Sequence, residues 1–186
     1  PWDKVRSIVD EDGFLYTDPI ELFSHKPRLD EIEAEFRAQI ELVKKRGVKL
    51  GYLDTHYLGY NQYPGIEEVF KRIANDYDLP LSGMMDEKNM QGVYTTNPSD
   101  KILTATKQLE QLKPGLYLWV CHIGIDSPEQ NALIHTRPKD IFVYNGVGKH
   151  RAAELETLMS IEVKSMILQK GIKLTNYSEI YKERKK

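Results

Sequence analysis

The sequence predicts an α/β fold with a largely parallel sheet, open or closed into a barrel. Three observations predict it. Helical and extended patterns alternate along the chain, in the order helix, strand, helix, strand through nine elements. The run Leu116-Tyr-Leu-Trp-Val-Cys121 is apolar throughout and follows the turn signal Pro114-Gly115, as a strand buried on both faces of a parallel sheet would. Finally, two extended runs end in polar residues, Asp54-Thr-His56 and His122-Ile-Gly-Ile-Asp126, where α/β folds keep their sites.

Residues 1–27 read as an irregular leader with a turn at Asp10-Glu-Asp-Gly13 and a short strand or hairpin at 14–16. Asp30 is the expected cap of the first long helix. Glu31, Glu33 and Glu35 lie toward its positive end, and Ile32, Phe36, Ile40 and Val43 form one apolar stripe. Lys44, Lys45 and Arg46 suit its last turn, and Gly47 stops it. A strand follows at 48–53. Pro64 opens a second helix that buries Val69, Phe70, Ile73 and Tyr77. A short strand at 79–81 leads into a long loop over 82–99. Ser99 or Asp100 caps a helix with Ile102, Leu103, Leu109 and Leu112 inside. After the 116–121 strand, Ser127-Pro-Glu129 starts a short helix and 141–144 is ambiguous. Helices are expected at 149–159, with Leu155 and Leu158 inward, and at 162–170, stopped by Gly171. A last strand spans 172–175, and Ser178 caps a terminal helix that frays through Lys182-Glu-Arg-Lys-Lys186.

The 186 residues, 40% hydrophobic and 29% charged, suit one globular domain with a sizeable core. A net charge of -2 argues against a nucleic-acid partner, which would favour a basic face. The single cysteine excludes an internal disulfide and fits a reducing compartment, so the cytoplasm is the expected location. No signal peptide or long apolar stretch is visible, and no membrane partner is expected. No glycine-rich phosphate loop appears, so no residue is assigned to an organic cofactor.

In a parallel sheet the strand ends converge on one side. His56 and His122 delivered there with a carboxylate would form a site with open positions, the layout of catalytic divalent ions. The competing reading is a histidine that closes a strand and bonds nearby backbone. Adjacent strand residues point to opposite faces, which argues against a Cys121/His122 nucleophile pair. Tyr57, Tyr60 and Tyr63 follow the first cluster and would stack on a sugar ring or simply pack their loop. His25 and His135 read as surface residues. Arg151 and Glu154, three apart on one helix, read as an ion pair or as a brace behind the site.

Taken together, Leu29-Asp-Glu-Ile-Glu-Ala-Glu-Phe-Arg-Ala-Gln-Ile40, Tyr52-Leu-Asp-Thr-His56, Cys121-His-Ile-Gly-Ile-Asp-Ser-Pro-Glu129, His150-Arg-Ala-Ala-Glu-Leu155 and Gly171-Ile-Lys-Leu174 resemble the YdjC-like carbohydrate deacetylases, the chito-oligosaccharide deacetylases among them. The resemblance runs from about Val5 to Tyr181. It implies a variant TIM-like (β/α) barrel, largely parallel and here lacking its first strand or strands. Residues 1–186 would then be a single domain, the larger C-terminal part of that barrel. It also implies one divalent metal ion, zinc or magnesium foremost, although such ligands accommodate nickel, cobalt, iron or manganese as well. In the family the ion is held by an aspartate of an N-terminal Asp-Asp motif and by the histidines of Asp-Ser-His and His-Pro-Gly motifs. The second motif maps onto Asp54-Thr-His56 and the third onto His122-Ile-Gly124, making His56 and His122 the implied metal ligands. The chain begins at Pro1, and the third ligand and the catalytic base are expected before it.

In this reading Asp54 and Asp126 would orient the site and Arg151 and Glu154 would support it, with Tyr57, Tyr60 and Tyr63 as the candidate substrate contacts from their residue type. The implied reaction is removal of an N-acetyl group from an acetylated amino sugar or oligosaccharide by metal-activated water. Ile123 in place of proline, and Tyr52 where many members have histidine, mark a divergent branch. Two alternatives stand beside this one: a metal hydrolase of another amide or ester on the same fold, and a sugar-binding protein without catalysis. A homodimer is the family-level expectation.

Overall fold

In the computed structural model, residues 2–56, 58–59, 62–90, 92–133 and 146–186 are described. Their contacts group into two compact units, Pro1–Met85 with Thr175–Lys186, and Asp86–Leu174. The architecture is mixed helix and strand with a small parallel sheet.

The first unit opens with two 3-10 turns, Trp2–Lys4 and Arg6–Ile8. The expected hairpin follows. The Asp10 carboxylate accepts from the backbone N–H of Asp12 (3.0 Å) and Phe14 (2.9 Å), and Val9 pairs with Leu15 in an antiparallel bridge. The leader is not irregular throughout. Helix α1 (Pro19–Ser24) forms because Asp18 accepts from Ile20 N–H at 2.7 Å and Pro19 sits in the first turn.

Helix α2 (Leu29–Lys45) buries Ile32 and Ile40, with Phe36 against the same core, and Gly47 ends it at φ 78°. Asp30 is not its cap. It lies inside the first turn and pairs with Arg28 at 2.6 Å. Helix α3 (Ile66–Asp76) buries Ile66, Val69, Phe70, Ile73 and Ala74 against α2, and Phe36 meets Phe70 edge-on at 4.8 Å. Glu33 reaches Arg72 of α3 at 2.5 Å and Arg37 of its own helix at 2.7 Å, and Arg37 reaches Asp76 of α3 at 2.5 Å.

The expected strands at 48–53 and 79–81 reduce to one parallel bridge, Leu53 with Leu81. Leu53 N–H donates to Pro80 O and Ser82 N–H to Leu53 O, both at 2.9 Å. Val48 N–H instead closes the end of α2 on Val43 O, at 3.3 Å.

The second unit holds β1 (Lys88–Asn89) and β2 (Tyr117–Leu118), parallel, with Lys88 opposite Tyr117. The 82–99 loop therefore contains a strand, and the 116–121 run supplies two residues to the ladder. Its side chains are not buried on both faces: Val120 is 50% exposed, because β1 is the only strand paired with this run among the described residues.

Helix α4 (Lys101–Gln111) buries Lys101, Ala105 and Leu109 but leaves Leu103 exposed, so its inward face is rotated from the expected one. Helix α5 (Pro128–Asn131) starts as predicted, with Ser127 accepting from Gln130 N–H. Helix α6 (Val147–Met159) turns Val147, His150, Ala153, Glu154 and Thr157 inward and leaves Leu155 exposed. Leucine periodicity fails here because this face packs against a buried lysine, which a carboxylate satisfies and an alkyl group would not.

Helix α7 (Ile161–Gln169), capped by Ser160, sets Val163 into a core with Met90, Val93, Ala105 and Leu109. The strand expected at 172–175 is absent. Ile172 N–H closes α7 on Ile167 O at 2.9 Å, and Gly171 takes φ 62°. The last helix, α8 (Tyr177–Arg184), returns to the first unit. Asn176 caps it, while Ser178, the expected cap, donates to Gly51 O at 3.0 Å. The ambiguous 141–144 segment lies outside the described residues. No helix among the described residues is long and apolar enough to cross a membrane.

Candidate functional site

The His122 loop is pinned to helix α6. The backbone N–H of His122 donates to Glu154 Oε2, and Gly124 N–H donates to Arg151 O at 3.3 Å. Space is tight at Gly124: a Cβ there would lie 3.0 Å from Arg151 Cβ, so a neighbour would have to give by a few tenths of an ångström. At Gly148, a turn earlier on α6, a Cβ would meet Asn131 Oδ1 at 2.6 Å and would push that side chain aside. Asn131 in turn donates to Asp126 Oδ1 at 2.6 Å. A chain of close contacts thus runs from α6 through α5 to the loop that ends in Asp126.

The imidazole of His122 is about one-third exposed, and its Nδ1 lies 3.8 Å from Glu154 Oε2. Its ring sits against Tyr94, centroids 3.9 Å apart. Behind it lies a wholly buried polar group. Lys101 Nζ donates to Val93 O (2.6 Å) and Tyr94 O (3.0 Å) and stands 3.9 Å from Glu154 Oε1. His150 Nδ1 lies 3.3 Å from Tyr94 O. Burial pulls the Lys101 amine below its usual range, against the opposing charge of Glu154. Burial, helped by Lys101, lowers His150 as well. Cys121 is pushed up to about 11, first by burial and then by Glu154, so its thiol stays protonated at neutral pH and is no nucleophile.

The other cluster has a different character. Asp54 and His56 are exposed around a buried Thr55, and Asp54 Oδ2 lies 3.5 Å from His56 Nδ1. His56 adopts φ 51°, a left-handed conformation that costs a non-glycine residue on the order of 1–2 kcal/mol and gathers at functional sites.

His56 lies in the first unit and His122 in the second. In both, a carboxylate stands on the Nδ1 side of the ring, which aims Nε2 away from it. These separations, 3.5 Å at His56 and 3.8 Å at His122, are those of a neighbouring charge and not of a hydrogen bond; an imidazole nitrogen is in itself a donor that a divalent ion accepts. No group of three or more His, Cys, Asp or Glu able to hold a metal is found among the described residues.

Arg151 and Glu154 do not form the expected pair. Arg151 Nη1 donates to Gln130 Oε1 at 3.2 Å, while Glu154 turns inward to Lys101 and His122. Tyr63 packs: its ring stacks on Phe23 at 5.0 Å and its hydroxyl donates to Pro27 O at 3.2 Å. Tyr57, Tyr60 and His135 lie outside the described residues. His25 stacks on Tyr16 at 4.7 Å. Sequence reasoning misses Lys101 and His150. A lysine one residue past a helix cap reads as solvated, and no local pattern reveals that its pocket is lined with carbonyls.

A family model described as YdjC-like protein matches residues 1–169. A carbohydrate deacetylase of Enterococcus faecalis is 30% identical over 193 residues, covering 97% of this chain and 71% of the relative. One of Brevibacillus brevis is 26% identical, covering 95% of this chain and 71% of the relative. A crystal structure from Enterococcus faecalis V583, carrying a provisional assignment to cellobiose-phosphate cleavage, superposes with a TM-score of 0.71 at 25% identity. That match covers 97% of this chain and 71% of the other.

Proposed function

The chain belongs to the YdjC-like family, and on that premise we propose that it is a carbohydrate deacetylase, a hydrolase that frees the amine of an acetylated amino sugar or oligosaccharide. Membership, with relatives of that name spanning nearly the whole chain, supports the sugar substrate. The observation that carries the metal-dependent reading is the pair of carboxylate-backed imidazoles, His56 with Asp54 and His122 with Glu154.

Hydrolysis adds water across the amide C–N bond and yields acetate and an amine. A divalent ion, when bound, supplies polarisation of the acetamide carbonyl and a lowered pKa for water. This chain's residues would supply two ligands and their supports. His56 and His122 present Nε2 as donors. Asp54 would place a negative charge on the Nδ1 side of the His56 ring. Glu154 anchors the His122 backbone, and Arg151 with Gln130 holds the flank of the loop. Asp126 sets Asn131 and through it the seat of α6. Tyr57 and Tyr60 remain the proposed sugar platform. The variant TIM-like barrel, with these residues as its larger C-terminal part, belongs to the same proposal, as do a cytoplasmic location and a homodimer.

The test is acetate release from acetylated chito-oligosaccharides before and after chelation, with zinc, magnesium or cobalt added back. Activity is expected to vanish on chelation and return with metal. His56→Ala and His122→Ala should each lower it at least a hundredfold. Release that survives chelation and both substitutions would end the metal reading. Cleavage of simple acetyl esters but not of the sugars would favour another hydrolase, and sugar binding without release a non-catalytic protein.

A further inference from the structure

We infer that Lys101 and Glu154 are a buried positioning pair that fixes the backbone and ring of His122. The inference rests on the reading of His122 as a ligand. The two side chains are 0% and 1% exposed, so neither touches substrate; whatever they do, they do through a neighbour. Glu154 has two oxygens with different duties. Oε2 accepts the His122 backbone N–H and lies 3.8 Å from the ring nitrogen Nδ1. Oε1 faces the Lys101 ammonium at 3.9 Å and makes no hydrogen bond.

Lys101 spends its own donors on Val93 O and Tyr94 O, and Tyr94 is the residue whose ring lies against His122. One lysine therefore ties down both supports of the histidine: the carboxylate under its backbone and the aromatic beside its ring. His150 adds a third tie through the same Tyr94 carbonyl.

The arrangement is a poor one for stability alone. Each buried charge gives up its hydration, and a well-packed apolar pair of like volume would serve the core as well or better. An oxygen without a hydrogen bond, facing its partner at 3.9 Å, does not recover that loss fully. What an apolar pair could not supply is a fixed acceptor beneath His122 N–H and a negative charge on the Nδ1 side of its ring. Support of that kind behind a metal-ligating imidazole is commonly worth about 10–100-fold in metal affinity.

The test compares the protein with Lys101→Met, Glu154→Leu and the double variant. Three readouts are taken: thermal midpoint, exchange of the His122 amide followed residue by residue by NMR, and titration with cobalt(II) alone. Lys101→Met should unfold well below wild type, because Glu154 is left buried without its cation. The double variant removes both charges and should recover most of the midpoint. Its His122 amide should still exchange roughly tenfold faster, and cobalt should bind about 10–100-fold more weakly. Glu154→Leu, which removes the acceptor, should show the same two losses. Wild-type exchange and wild-type cobalt affinity in a stable double variant would reduce the pair to a structural element and overturn the inference. If the wild-type protein binds no cobalt, the proposed function fails, and the amide exchange still decides whether the pair holds His122.

Discussion

Gly124→Ala separates the geometry of the His122 loop from its stability. The residue does not occupy a left-handed conformation, so an added methyl costs space and not backbone strain. Its Cβ would lie 3.0 Å from Arg151 Cβ and 3.3 Å from both Arg151 Cδ and Gln130 Oε1. Ordinary contact starts at 3.4 Å, so the loop and α6 must separate by about 0.4 Å along the Cβ–Cβ line. That displacement acts on the two bonds that seat the loop, Gly124 N–H to Arg151 O and His122 N–H to Glu154. Overpacking of this kind costs ~1–3 kcal/mol. In the role proposed for His122, its displacement would cost more in rate than in stability, since misplacement by ~1 Å can lower turnover a hundredfold.

Gly171→Ala is the control. Gly171 has φ 62° with nothing within 4 Å, so its replacement loses about 1 kcal/mol to the left-handed conformation and leaves His122 untouched. Thermal midpoints and kcat/KM for acetate release are measured for both. The expectation is comparable midpoints with kcat/KM tenfold or more lower for Gly124→Ala alone. Equal activities at equal stability would refute the idea that α6 sets the position of His122.

The buried His150 gives a pH signature. Its folded pKa lies below that of the unfolded chain, about 6.5. Above that pH both states are neutral and stability is complete; below it the unfolded state takes the proton first and stability falls toward the folded pKa. Lys101 from α4 and Glu154 on the same helix face this site, and Lys101 acts with the same sign only at the alkaline end. Glu33, lowered by its bonds to Arg72 and Arg37, loses its contribution only under more acidic conditions. Midpoints over about pH 5–8 should therefore decline below about 6.5 in the wild type and flatten in His150→Gln. Glu33→Gln should destabilise the first unit by about 1 kcal/mol, less at high salt, read by urea unfolding at two ionic strengths. Phe70→Ala, which empties a site 2% exposed beside Phe36, should cost ~3–5 kcal/mol by the same assay. Asp18→Ala removes the cap of α1 and should cost ~1 kcal/mol.

What can be read in the sequence follows from how locally each feature is encoded. Helices α2 and α3 are legible because their apolar stripes answer to a core built from those same two stripes, with Ile32, Ile40, Val69, Phe70 and Ile73 on the inner side. The short helices depend on single capping residues. Ser127-Pro128 announces α5, whereas Asp18-Pro19, the same signal, reads as irregular chain because no periodic run follows it. Strands are the least legible, since a run such as 172–175 becomes a strand only if a neighbour offers a ladder, and here the end of α7 claims Ile172 first. The site divides in the same way. Asp54, His56 and His122 are visible as polar residues at the ends of apolar runs. Lys101, His150 and the inward turn of Glu154 are not, because their roles are fixed by residues 93–94, 101 and 150–154 meeting in space. Arg151 and Glu154 show the limit most clearly. Helical spacing makes them a natural pair, but a buried ammonium 3.9 Å from Glu154 and a glutamine 3.2 Å from Arg151 compete for each. The buried partner wins because leaving Lys101 unmatched in the core costs more than an exposed ion pair returns.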